Sequence, residues 1–170
     1  MTLRTWLLLT MSGLGLTMTA HADPEILKNW FEDPFFQVRN GMVDCPTPLG
    51  PFTNETVKKQ ESHWRVERGT SCWIAGKCRL PNSYYYDKDI AAAVKQTFDA
   101  TTGFQTDSIW LMFQRRFVWI EGCIANPADA EALKALVAAT PDVEEVIVHL
   151  RSNPQAPLPY PQIPADAVLQ

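Results

Sequence analysis

Between Ser108 and Ile124 the chain reads SIWLMFQRRFVWIEGCI, and its apolar positions alternate with a period of two. That pattern predicts two strands joined at Gln114-Arg115-Arg116. Ile109, Leu111 and Phe113 point one way, and Trp110 and Met112 the other. On the second strand Val118, Ile120, Gly122 and Ile124 share a face, opposite Phe117, Trp119, Glu121 and Cys123. An antiparallel pair with one wet side would be polar on alternate positions, and this one is apolar on both. Each face therefore needs a cover.

The flanking sequence supplies one. Asp87 reads as the cap of a helix whose apolar positions are Ile90, Val94, Thr97 and Phe98, ended by Gly103. Asn126-Pro127-Ala128-Asp129 starts a second helix, with Ala130, Leu133, Leu136 and Val137 as its buried stripe and Thr140-Pro141 as its stop. Val143–Leu150 is a third strand. The predicted order over 84–150 is α-β-β-α-β, an α+β unit with a three-stranded sheet and both helices on one face.

The second cover is expected from the N-terminal extension, 23–83. Asp23-Pro24 begins a predicted short helix, Cys45–Pro51 is extended because three prolines fall within seven residues, and a helix runs from a Thr53 cap to Gly69. That helix is mostly charged, with Val57 and Trp64 as its thin apolar stripe and His63 on its surface. Cys72 to Asn82 reads as loop, and Tyr84-Tyr85-Tyr86 as a linker packing its rings on the domain. If the Val118–Ile124 set faces the helices, Cys123 faces away, towards the extension. All four cysteines (Cys45, Cys72, Cys78, Cys123) then read as structural disulfides. Three pairings are open, and the cover model is served by Cys45–Cys123 with Cys72–Cys78. After Leu150 five prolines make 151–170 an extended or disordered tail.

Arg4, the apolar run Trp6–Met18 and Ala20-His21-Ala22 have the form of an export signal over 1–22. Its removal takes away one of 15 basic residues and none of the 19 acidic ones, leaving a net charge of −5. That balance disfavours nucleic acid and anionic surfaces as bulk electrostatic partners. The mature protein is expected to be exported and soluble, with no span left in the membrane once the signal is removed.

The α-β-β-α-β unit resembles the BON domain, the module of bacterial osmotically inducible and nodulation proteins. The resemblance rests on Ile90 and Val94, Ile109-x-Leu111-x-Phe113, Val118-x-Ile120-x-Gly122-x-Ile124, and Pro141-Asp142-Val143-x-x-Val146-x-Val148-x-Leu150. This chain departs from the family in having Arg115-Arg116 where a glycine is usual in the hairpin turn, and Asp142 where a glycine usually follows the proline. The resemblance implies a non-catalytic, periplasmic protein of the cell envelope that engages phospholipid head groups or an envelope protein partner. The alternatives are a structural, stress-protective protein without a small ligand, or an enzyme with an unrecognised site.

No catalytic motif, cofactor fingerprint or metal-ligand spacing stands out, so no catalytic, cofactor or metal residue is assigned. Asp87 and Asp89 read as helix N-terminal charges, and Glu121 as a strand residue at the sheet rim, the alternative being a buried carboxylate with a raised pKa. Arg115 and Arg116 form the only basic pair on an exposed turn, and are the candidates for contacting a phosphate or an acidic partner.

Overall fold

The computed structural model describes residues 25–170. The expected export signal lies outside them. In chain order the elements are β1 (Ile26–Leu27), β2 (Phe35–Asn40), α1 (Glu55–Gly69), α2 (Ser71–Ile74), a 3₁₀ turn over Ser83–Tyr86, α3 (Asp87–Ala100), β3 (Ser108–Gln114), β4 (Phe117–Cys123), α4 (Asp129–Ala138), β5 (Glu145–Arg151) and β6 (Val168–Leu169). The fold is α+β, as the periodicity predicts, but the main sheet has four strands and not three. Its order is β2-β3-β4-β5, with β2 antiparallel to β3, β3 antiparallel to β4, and β5 parallel to β4 through the α4 crossover.

One face of the sheet carries the core. Ile109, Leu111, Phe113, Val118, Ile120 and Val146 are buried beneath Ile90, Val94 and Phe98 of α3 and Leu133 and Val137 of α4. Phe36 and Val38 of β2 pack against the same cluster, with the Phe36 and Phe113 rings stacked at 5.5 Å. Gly122 sits on this face at φ 144°, and a Cβ there would lie 2.0 Å from the Ser108 carbonyl oxygen. Backbone contact between β3 and β4 thus requires glycine at this position.

The opposite face is covered by two proline-rich segments. Cys45 is bonded to Cys123, pinning the run after β2 across the strands, and Cys72 is bonded to Cys78. Phe52 meets Phe35 of β2 edge-on at 6.1 Å, and Gly50 turns at φ 58° directly against the Phe35 ring. The C-terminal segment completes the cover. Tyr160 is buried, donates to the Pro46 carbonyl at 2.9 Å, and lies 3.6 Å and 3.9 Å from the sulfurs of Cys45 and Cys123. The Leu49 N–H donates to the Pro161 carbonyl, Pro48 bridges Gln162, and β1 pairs in parallel with β6.

Several local expectations are corrected. The tail is extended, as its prolines require, but it is docked and not free. Ile26–Leu27 is strand where a short helix from Asp23 was expected, because β6 offers it a ladder partner. The α1 cap is Asn54, whose side chain accepts from the Val57 N–H, and not Thr53. Val57 and Trp64 do not bury: they are 41% and 48% exposed. The helix is held by Arg65 instead, as described below. Part of the Cys72–Asn82 loop is the short helix α2.

Two predictions follow from the cover. Replacing Cys45 and Cys123 together by alanine should cost roughly 4–5 kcal/mol of unfolding free energy, against about 2 kcal/mol for the Cys72/Cys78 pair, since the loops they close differ in length. Urea titration of the two double variants measures the difference. Gly122→Ala should cost on the order of 3 kcal/mol in the same assay, through the collision with β3.

Candidate functional site

The hairpin tip brings together the two arginines singled out in the sequence. β3 and β4 are joined by a two-residue turn, Arg115-Arg116, with φ of 56° and 69°. Two consecutive left-handed residues match the right-handed twist of the strands, which is why glycine or asparagine is usual in such turns. With side chains present, each position is strained by on the order of 1 kcal/mol or more. Asp87 provides the compensation. Its carboxylate accepts from the Arg115 N–H and the Arg116 N–H, both at 2.7 Å. It is therefore not the cap of α3 but the acceptor that receives the turn, fixed at the first residue of that helix.

Asp87 is buried at 2% exposure. Burial pushes its pKa up to about 6, against the downward pull of the two backbone hydrogen bonds. A helical carboxylate poised near neutrality thus holds the hairpin tip.

The two arginines have different fates. Arg116 is spent inside the fold. Its Nε donates to the Asp142 carbonyl at 2.8 Å, and its Nη1 reaches Glu144 at 3.3 Å and the sulfurs of Cys78 and Cys72 at 3.0 and 3.3 Å. The guanidinium also lies over the Tyr86 ring. Asp142, which stands where the resemblance leads one to expect glycine, has φ 68° and pairs with Arg79 at 2.7 Å. Among the described residues the Arg115 side chain makes no such bonds. Its guanidinium stacks over Phe117 at 4.7 Å, and Phe117 lies 6.1 Å from Trp119, both rings half-buried. Arg115 also lines a shallow cleft of about 210 Å³ with Ser71, Cys72, Lys77, Ser83 and Glu144.

A polar cluster that sequence reasoning missed braces the tip from the side. Arg65 of α1 pairs with the buried Asp33 and with Glu61, and is sandwiched between the rings of Phe31 (3.9 Å) and Tyr84 (4.4 Å). The Gln114 side chain, the last of β3, donates to Asp33 at 3.1 Å and to Glu61 at 2.8 Å. The only local sign was a carboxylate four residues before an arginine in a helix, Glu61 and Arg65. Nothing local pointed to Asp33.

Glu121 is buried in mid-sheet at 5% exposure, not at the rim. Burial raises its pKa, and His149, whose Nδ1 is 3.6 Å away on β5, pulls the other way. Among the described residues no group of His, Cys, Asp or Glu is arranged to hold a metal ion, and no helix is long and apolar enough to cross a membrane.

Comparison with known families matches residues 86–154 to the BON domain. The chain carries a BON domain. No curated protein and no solved structure matches the chain. The BON domain so delimited spans α3 to β5, so that β2, the cover and the Arg65 cluster lie outside it. Its turn and Asp142 adopt the left-handed backbone that the family's glycines serve.

Replacing Asp87 by asparagine leaves one turn N–H facing an amide donor. The loss should be on the order of 1–3 kcal/mol at neutral pH. The pH dependence has a defined sign. Because the folded pKa of Asp87 lies above its unfolded value, its contribution is fully present below about pH 4 and declines as pH rises through 6. Urea midpoints of wild type relative to Asp87→Asn, taken from pH 4 to pH 8, should fall across that window and then level off.

Proposed function

We propose that the chain is a non-catalytic, periplasmic envelope-binding protein whose BON domain contacts phospholipid head groups or an envelope protein partner at the hairpin tip. The observation that carries this reading is Arg115. Its guanidinium rests on the half-open Phe117–Trp119 pair and shares a cleft with Lys77. A cation on aromatic rings, open to solvent on one side, suits a phosphate bordered by apolar matter. Trp73 and Ile74 of α2, in the same segment as Lys77, are 50% and 79% exposed and offer further apolar surface for a contact. The two disulfides support an oxidising compartment.

The scaffold reading draws on a different observation. The centre of the second sheet face is closed, with Trp110 only 8% exposed, which favours a surface contact over capture of a small ligand within the sheet.

Co-sedimentation of the oxidised protein with anionic and zwitterionic vesicles tests the head-group reading. Anionic vesicles should bind it at low salt and lose it at physiological salt, because the net charge opposes attraction beyond the tip. Arg115→Asn removes the cation and keeps a residue that tolerates the left-handed turn, so binding should fall several-fold while the urea midpoint holds. Absence of binding to either vesicle would remove the lipid reading and leave a protein partner.

A further inference from the structure

The sheet has two edges, and they are treated differently. β2 begins after Pro34 and is broken by a register shift between Gln37 and Arg39. Such an irregularity discourages a further strand from joining. β5 has no such device. It is seven residues long, EVIVHLR, without proline, lysine or a register shift. Its outer side has no strand partner, and among the described residues no loop backbone bonds to Val146, Val148 or Leu150. The chain beyond Arg151 leaves this edge and crosses the sheet to bring Tyr160 to Cys123.

The direction of the free groups can be read from one bond. The Arg151 carbonyl accepts from the Ile124 N–H, so Arg151 faces β4. Alternation turns Glu145, Ile147 and His149 the same way, and aims the N–H and C=O of Val146, Val148 and Leu150 outwards.

We propose that this edge is a homodimer interface, in which β5 pairs antiparallel with β5 of a second copy about a two-fold axis at Val148. The strand is self-complementary in that register. Val148 meets its own counterpart and Val146 meets Leu150, each as a hydrogen-bonded pair formed by the outward-facing groups. Ile147 meets His149. At both ends Glu145 faces Arg151, opposite charges on the face away from the helices. A one-residue slip would bring inward-facing groups opposite outward-facing ones, and would part the charges. The axis joins helix face to helix face, so two four-stranded sheets become one continuous sheet.

An edge pairing of this length sits at the small end of specific interfaces, and association should appear over roughly 1–500 µM. Light scattering coupled to gel filtration of the oxidised protein should show a monomer becoming a dimer across that range. The amides of Val146, Val148 and Leu150 should exchange more slowly as concentration rises. Glu145→Arg, at an exposed position, should weaken the dimer about tenfold or more by placing arginine opposite arginine. Adding Arg151→Glu to that variant should restore it. A monomer at every concentration, with exchange at those amides independent of concentration, would overturn the proposal. So would a dimer indifferent to Glu145→Arg, since its interface would lie elsewhere.

Discussion

A small sheet that is apolar on both faces sets the terms for everything else in this protein. Trp110 and Met112 on one strand and Phe117, Trp119 and Cys123 on the next cannot be left in water without forgoing on the order of 1.5–3 kcal/mol for each large side chain. The BON domain covers only one face, with α3 and α4. The other is closed by residues far apart in sequence, Pro46–Phe52 and Tyr160–Gln162, which cross and bond to each other there. Proline suits both segments. A restricted chain loses less entropy on docking, and missing N–H groups are fewer donors to satisfy in a layer that has no ladder of its own. The Cys45–Cys123 bond lies at the point where both segments meet the sheet.

At the hairpin end the constraint is polar. A turn of two arginines in the left-handed region needs acceptors for its N–H groups, and Asp87 supplies both. Arg116 then reaches back to Asp142 and Glu144, so the turn, the start of α3 and the approach to β5 are joined by a few charge-assisted bonds. Arg65 does the corresponding work for α1. A mostly charged helix has little apolar surface with which to dock. Two carboxylates, two aromatic faces and Gln114 satisfy its guanidinium instead. Removing either carboxylate would leave a largely buried cation with a single anionic partner, so the cluster fixes where the helix sits more than it adds net stability.

What was legible in the sequence follows from which interactions are local. The hairpin, α3, α4 and β5 announce themselves because each buries a stripe of its own period, and the parity of Cys123 on its strand turns it towards the extension, while the choice of Cys45 among three possible pairings is made only by the fold. β2 was not legible. FFQVRN begins after proline, and its alternation is spoiled by the shift between Gln37 and Arg39, so it shows as a strand only beside β3. β1 is two residues long and exists because β6 lies against it. At the tip the residue types were visible but not their partners. The Arg115-Arg116 turn could be read as basic, whereas the division of labour between the two depends on Asp87, Asp142 and the Cys72–Cys78 bond, each distant in sequence. Glu121 misled for a related reason: a carboxylate on an apolar strand reads as rim, and only the neighbouring His149 on β5 accounts for it within the sheet.

The match to the BON domain is accordingly smaller than the unit that folds. Without the residues before Tyr86 the β3 edge would lack β2, the core would lose Phe36 and Val38, and the second sheet face would lose its disulfide-bonded cover. The extension also decides which edge stays open. By adding β2 to β3 and closing that side with a register shift, it leaves β5 as the one regular edge, and it keeps that edge aligned with a covered and therefore rigid sheet. A strand embedded in such a sheet presents its outward N–H and C=O groups in fixed order, and recognition at an edge depends on that order more than on the side chains alone.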